Sequence, residues 1–147
     1  MPVFIFLNLS VKNILKYNTA WFVWVVFILY VMLIKQSSIP HFDFNFIIPP
    51  DKLVHAFLFS VLMQFLCIGF YFQQKVLFFS FKGILLFLLI GSAFGATTEM
   101  LQELLTTDRH AEFFDFVADV IGLITGGFIF ELYFKKNLIR KKKLLHF

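Results

Sequence analysis

Four long apolar runs, separated by short polar segments, dominate the pattern of hydrophobic and polar positions along this chain. A helix that crosses a bilayer needs about 20 predominantly apolar residues. The runs predict four such spans, at 20–34, 52–72, 83–105 and 113–134. Because the first run is short, we expect its span to borrow residues from Tyr17 and Asn18. The pattern predicts an all-α membrane protein, built as a four-helix transmembrane bundle.

The polar segments divide the chain into an N-terminal segment at 1–18, a transmembrane domain at 19–134 and a basic tail at 135–147. In the N-terminal segment Phe4, Leu7 and Val11 recur at helical spacing, with Lys12 and Lys16 among them. This arrangement is typical of a short amphipathic helix in the membrane interface. It also fits an irregular start to the first span, and both interpretations stay open.

The composition agrees with a membrane protein. Hydrophobic residues make up 60% of the chain and charged residues 15%, and the mean hydropathy is +0.85. A soluble domain carries about 25% charged and about 45–50% apolar residues. The single cysteine, Cys67, lies inside an apolar run, so an intrachain disulfide is excluded and a packing role is expected.

The formal net charge of +4 does not indicate a nucleic-acid partner. The basic residues lie in short segments that flank the apolar runs, where they set membrane topology. Those near the N-terminus, in the second loop and in the tail fall on one side, whereas Lys35, Lys52 and Arg109 fall on the other. Since the more basic side faces the cytoplasm, both termini are expected there.

Glu99, Asp115 and Asp119 are carboxylates inside the predicted spans, near the less basic side. Helical rise places Glu99 and Asp119 roughly 9 Å inside the third and fourth spans, with Asp115 one turn from Asp119. An ionisable side chain at the centre of a spanning helix costs on the order of 2.5–3.5 kcal/mol on insertion scales. We therefore expect these groups to face the bundle interior, where they pair with cations or line a hydrated cavity.

The third and fourth spans each carry a stripe of small and acidic residues at spacings of three or four. Glycines at such spacing permit close helix packing. We expect these two helices to pack tightly at their glycines and to separate at their acids, around a polar pocket open to the outside. The stripes consist of Gly91, Gly95, Glu99 and Glu103 on the third span, and of Asp115, Asp119, Gly122 and Gly126 on the fourth.

Cations are available at the same end of the bundle. Arg109 lies in the turn between the acidic stripes, and Lys52 and His55 begin the second span behind Asp51, which is placed to cap that helix. Together they predict a ligand-binding site. Its members are Asp51, Lys52, His55, Glu99, Gln102, Arg109, Asp115 and Asp119.

A structural interpretation of the same residues stays open. The buried acids would then form an ion-pair network with Arg109 and Lys52, and Gln102 would make an interhelical hydrogen bond. Acidic and basic residues around the last turn are expected to be solvated. These are Glu103, Asp108, His110 and Glu112.

The order and spacing of these residues resemble the VanZ-like family of bacterial integral membrane proteins. The resemblance covers about 51–127 and rests on DKLVHAFLF, EMLQ, the following arginine and DFVADVIG with its trailing glycine. The family pattern carries over to Asp51, Lys52, His55, Glu99, Gln102, Arg109, Asp115 and Gly122. Asp119 departs from it, because an asparagine is expected there.

The resemblance implies a protein of the bacterial cytoplasmic membrane. The founding member of the family is associated with resistance to the glycopeptide teicoplanin, without modification of the peptidoglycan precursor. An outward-facing polar site agrees with that role, because glycopeptides act outside the cytoplasmic membrane. A role of this kind is an expectation for the present chain.

Three classes of function remain. The first is a non-enzymatic protein that binds or shields an amphiphilic envelope ligand, in contact with membrane lipids and with no cofactor or metal required. The second is a membrane enzyme on a lipid-linked substrate, using paired carboxylates or a divalent metal at His55, Glu99 and Asp119. The chain has no HExxH, nucleophile elbow or phosphate-binding loop, so this class lacks a motif. Transport is the third and would require an oligomer, which the sequence leaves open.

Overall fold

The computed structural model describes residues 11–34, 49–74, 81–106 and 111–136, and the elements in these ranges are all helical. The four helices are α1 (Val11–Leu33), α2 (Pro50–Gln74), α3 (Phe81–Leu105) and α4 (Phe113–Ile129). A short π-helical segment, Phe130–Lys135, continues α4. All four are long and apolar enough to cross a membrane. The prediction of an all-α, four-helix membrane protein is confirmed.

Three helix starts differ from the predicted ones, and that of α3 differs only by two residues, at Phe81 instead of position 83. α1 begins at Val11, well ahead of position 20, because the polar residues before the apolar run include no helix breaker. The stretch expected to form a separate interfacial helix therefore runs into the first span from Val11 onward, and residues 1–10 lie outside the described ranges. α2 begins at Pro50, whose fixed φ suits the first helical position. Asp51 thus lies inside the first turn instead of at the N-cap.

α2 and α4 form the most extensive helix pair, and they run parallel. Two glycines of α4 lie directly against the α2 backbone. A Cβ at Gly122 would collide with the carbonyl oxygen of Ala56, and one at Gly126 with that of Ser60. The prediction that these glycines pack α4 against α3 is wrong, because their face of α4 is turned to α2.

The glycines of α3 do face α4, as predicted. A Cβ at Gly91 would lie 2.7 Å from a methyl carbon of Leu123, and one at Gly95 would lie 2.8 Å from Oδ2 of Asp119. Both distances are shorter than ordinary van der Waals contact. The absence of a side chain at Gly95 therefore lets α3 approach the acidic part of α4.

α1 is attached by hydrogen bonds between helices. Trp24 donates its indole N–H to the carbonyl oxygen of Leu58 on α2, at 2.9 Å. Gln102 on α3 donates its side-chain amide to the carbonyl oxygen of Met32, near the end of α1, at 2.8 Å. α1 thus runs antiparallel to α2 and packs on both α2 and α3.

The two ends of the bundle have different interiors. At the polar end, where α2 and α4 begin and α3 ends, the buried residues include His55, Asp115 and Asp119. At the opposite, apolar end the interior is largely hydrophobic and borders a partly open crevice of about 220 Å³. Its lining includes Met63, Cys67, Ile84, Leu88, Leu123 and Phe130, and also Glu131. Large apolar side chains are exposed on all four helices, which suits contact with membrane lipid.

Candidate functional site

The parallel pairing of α2 and α4 places their first turns side by side. Lys52 and His55 are three residues apart on α2, and Asp115 and Asp119 four apart on α4, so each pair shares one helix face. α3 runs in the opposite direction and brings Glu99 to the same level. Residues from three helices therefore meet at the polar end.

His55 and Asp119 form the innermost contact of this cluster. Nδ1 of His55 lies 2.9 Å from Oδ1 of Asp119, within hydrogen-bonding distance. The two residues are only 1% and 0% exposed. An ionised carboxylate only accepts, so the imidazole carries the proton of this bond when Asp119 is charged.

Glu99 links α3 to the start of α4. Its Oε2 accepts a hydrogen bond from the backbone N–H of Glu112, which precedes the first turn of α4, at 3.2 Å. The other oxygen, Oε1, lies 3.7 Å from Nδ1 of His55, too far for a hydrogen bond. Glu99 thus stabilises the backbone amide that precedes α4 and directs its second oxygen toward the histidine.

Lys52 connects the buried cluster to its exposed rim. Its Nζ lies 2.7 Å from Oδ1 of Asp115 and 2.9 Å from Oε2 of Glu112. The Asp115 side chain is buried, whereas that of Glu112 is 58% exposed. An exposed ion pair contributes about 0–1 kcal/mol, so the pair with Asp115 is the more consequential one.

Three buried atoms have no hydrogen-bond partner within the described ranges. They are Nε2 of His55, Oε1 of Glu99 and Oδ2 of Asp119. A buried polar atom left without a partner costs about 1–3 kcal/mol. All three atoms lie in one cluster, on three different helices. The contacts among the described residues therefore leave part of the hydrogen-bonding capacity of this cluster unused.

The cluster contains two overlapping groups of metal-ligand type. His55, Glu99 and Asp119 are all buried, and one ligand atom from each lies within 4.8 Å of the others. Asp51, His55 and Asp115 meet the same distance limit, but Asp51 is exposed. Both groups use His55. Two ions could therefore be bound together only if each took a different ring nitrogen of this histidine.

The structure brings most of the predicted site residues together. Lys52, His55, Glu99, Asp115 and Asp119 form one cluster, with Asp51 at its exposed edge. Gln102 is directed toward α1, where its amide makes the interhelical hydrogen bond weighed as an alternative. Arg109 lies outside the described residues. The cluster is enclosed, in contrast to the open cleft expected from the sequence.

Sequence reasoning missed Glu112. It was expected to be a solvated turn residue, yet its carboxylate pairs with Lys52 and its backbone N–H donates to Glu99. The available signal was its place three residues before Asp115, which puts it at the start of the same acidic stripe.

Comparison with protein-family models, with curated proteins and with solved structures finds no match to this chain. The resemblance to the VanZ-like family accordingly rests on the motifs in the sequence itself.

Proposed function

We propose that this chain is a VanZ-like integral membrane protein whose polar end binds the headgroup of an amphiphilic envelope ligand. The supporting observation is the cluster of Lys52, His55, Glu99, Asp115 and Asp119 inside helices that are otherwise apolar. Ionisable groups in spanning helices are costly and commonly mark functional sites. A structural role alone would not require three of them to have buried atoms without a hydrogen-bond partner among the described residues.

The rim of the cluster suits a headgroup with both charges. Asp51 is exposed and Glu112 is more than half exposed, so both can meet an ammonium group. The Lys52 side chain remains 22% exposed, and its ammonium group can meet a phosphate or carboxylate. In this proposal the protein lies in the bacterial cytoplasmic membrane with both termini inside, and the polar end faces outward. Teicoplanin, an acylated glycopeptide, is a ligand of the expected kind.

A direct binding measurement tests this proposal. The full chain in lipid nanodiscs is titrated with teicoplanin, beside a Lys52→Met variant and a Glu103→Gln control on the exposed face of α3. We expect Lys52→Met to weaken binding by about tenfold or more, because charged hydrogen bonds contribute about 1.5–3 kcal/mol. Equal binding by all three proteins, or unchanged teicoplanin susceptibility when the gene is deleted, would contradict the proposal.

A second candidate, a membrane enzyme acting on a lipid-linked substrate, is favoured by one observation. A histidine hydrogen-bonded to one carboxylate and close to another has the components of general acid–base catalysis. Lipid profiling separates the two functions. A His55→Gln strain that accumulates one envelope lipid, while the purified variant still binds that lipid, supports the enzyme.

A further inference from the structure

We propose that His55, Glu99 and Asp119 bind one divalent transition-metal ion, of which Zn²⁺ fits best, between α2, α3 and α4. This site shares His55, Glu99 and Asp119 with the cluster that supports headgroup binding, but it needs no envelope ligand and can be tested without one. The inference rests on the donor atoms, their spacing and the unpartnered atoms that surround them.

The donor set favours zinc over the alkaline-earth ions. One imidazole nitrogen and two carboxylate oxygens are ligands that Zn²⁺ takes at about 2.0–2.2 Å. Ca²⁺ requires six to eight oxygen ligands, and Mg²⁺ an octahedral set that is usually rich in water. Three protein donors leave one position of a tetrahedral ion open, as in catalytic zinc sites.

The spacing of the donors is close to what such an ion requires. Two ligands bound about 2.0–2.1 Å from a tetrahedral ion lie about 3.3–3.4 Å apart. The observed distances from Nδ1 of His55 are 2.9 Å to Oδ1 of Asp119 and 3.7 Å to Oε1 of Glu99. One distance is slightly short and the other slightly long, so each requires a shift of a few tenths of an ångström, and the carboxylate oxygens of Glu99 and Asp119 lie within 4.8 Å of each other.

One of the unpartnered atoms, Oε1 of Glu99, points to the same centre. Oε1 of Glu99 lacks a hydrogen-bond partner within the described residues and lies on the His55 side of its carboxylate. A metal ion would satisfy it. Metal binding through Nδ1 places the ring proton of His55 on Nε2, which lies 4.0 Å from Oδ2 of Asp115. Metal-bound histidines commonly donate this second N–H to a carboxylate, and here Lys52 holds that carboxylate in place.

The charges also balance around an ion. With neutral His55, one divalent cation compensates the carboxylates of Glu99 and Asp119, while Lys52 compensates Asp115. Uncompensated charge in a buried site is costly, so this compensation favours occupancy. The overlapping group with Asp51 is less suitable, because Asp51 is exposed and Asp115 already pairs with Lys52.

Zinc titration of the full chain tests the site. The purified protein is stripped with a chelator, and Zn²⁺ is titrated against a competing chromogenic chelator. We expect one ion per chain. Removal of a partner outside the ligand set typically costs 10- to 100-fold in metal affinity, so Glu99→Gln and Asp119→Asn should each lose about 100-fold or more. Glu103→Gln, one turn along α3, is the matched control and should bind as the unaltered chain does.

Three results would overturn the proposal. The unaltered chain could bind zinc no more tightly than Glu99→Gln. Asp51→Asn could abolish binding while Glu99→Gln retains it, which would assign the ion to the other group. X-ray absorption of the zinc-loaded unaltered chain could lack nitrogen and oxygen ligands at about 2.0–2.1 Å. This last measurement needs no variant, so it remains decisive if Asp119→Asn does not fold. Zinc binding without teicoplanin binding would leave this inference intact.

Discussion

The polar and apolar ends of the bundle share the same helices but differ in how their interiors are held. At the polar end each buried side chain has specific partners, as in the pair of His55 with Asp119. At the apolar end Met63, Cys67 and Leu123 pack by shape alone and leave a crevice of about 220 Å³. Replacements should therefore be costly at the polar end and well tolerated at the apolar end.

The largest expected effect comes from Asp119→Leu. Removal of one partner of a buried, hydrogen-bonded pair costs on the order of 3–5 kcal/mol, because the remaining group stays buried and unpaired. Leu123→Met, one turn further along α4, conserves volume at the apolar end and should cost less than about 1.5 kcal/mol. Helix content followed by circular dichroism during denaturation in detergent gives both values for the metal-free protein. If both variants lost the same free energy of unfolding, the two ends of the bundle would not differ in their tolerance of replacement.

A smaller effect is expected where the backbones of α2 and α4 touch. Gly126→Ala introduces a Cβ that collides with the carbonyl oxygen of Ser60, so the helices must separate. Overpacking of this kind costs about 1–3 kcal/mol. At the adjacent Gly127 a Cβ would lie 3.4 Å from the terminal methyl carbon of Met63, an ordinary contact, so Gly127→Ala is the control. Equal denaturation midpoints for the two variants would contradict the close approach of α2 and α4.

The smallest expected effect distinguishes two glutamines. Gln102→Leu removes an interhelical hydrogen bond and leaves the Met32 carbonyl without that donor, at a cost of about 1–2 kcal/mol. Among the described residues Gln64 donates to Ser60 of its own helix, at 3.3 Å, so Gln64→Leu should change stability by less than about 0.5 kcal/mol. The same denaturation assay compares them. If Gln64→Leu lowered the free energy of unfolding more than Gln102→Leu does, the hydrogen bond from Gln102 to α1 would contribute little to stability.

The spans and the composition of the cluster could be predicted from the sequence for physical reasons. The bilayer imposes a length on each apolar run, which identified four helices. Helical spacing places Asp115 and Asp119 on one face of α4, and the cost of buried charge turns that face inward. Both arguments use only neighbouring residues along the chain.

The pairing of helices could not be obtained in this way. Spacing shows that Gly122 and Gly126 share a face, but it does not show that α2 occupies that face instead of α3. Spacing also places Gln102 beside the acidic stripe of α3. It does not show that the Gln102 amide donates a hydrogen bond to Met32 of α1. Glu112 was missed because its role depends on the alignment of the α2 and α4 starts.

The hydrogen bond from Trp24 to Leu58 has a practical consequence for spectroscopy. The chain has two tryptophans, Trp21 and Trp24, and both belong to α1. Intrinsic indole emission therefore reports the surroundings of this one helix, whatever happens in the other three. Excited at the indole band, the protein would show a shift in emission wavelength when α1 leaves α2, even while ellipticity stays constant. Detachment of a single helix can thus be observed without any introduced label.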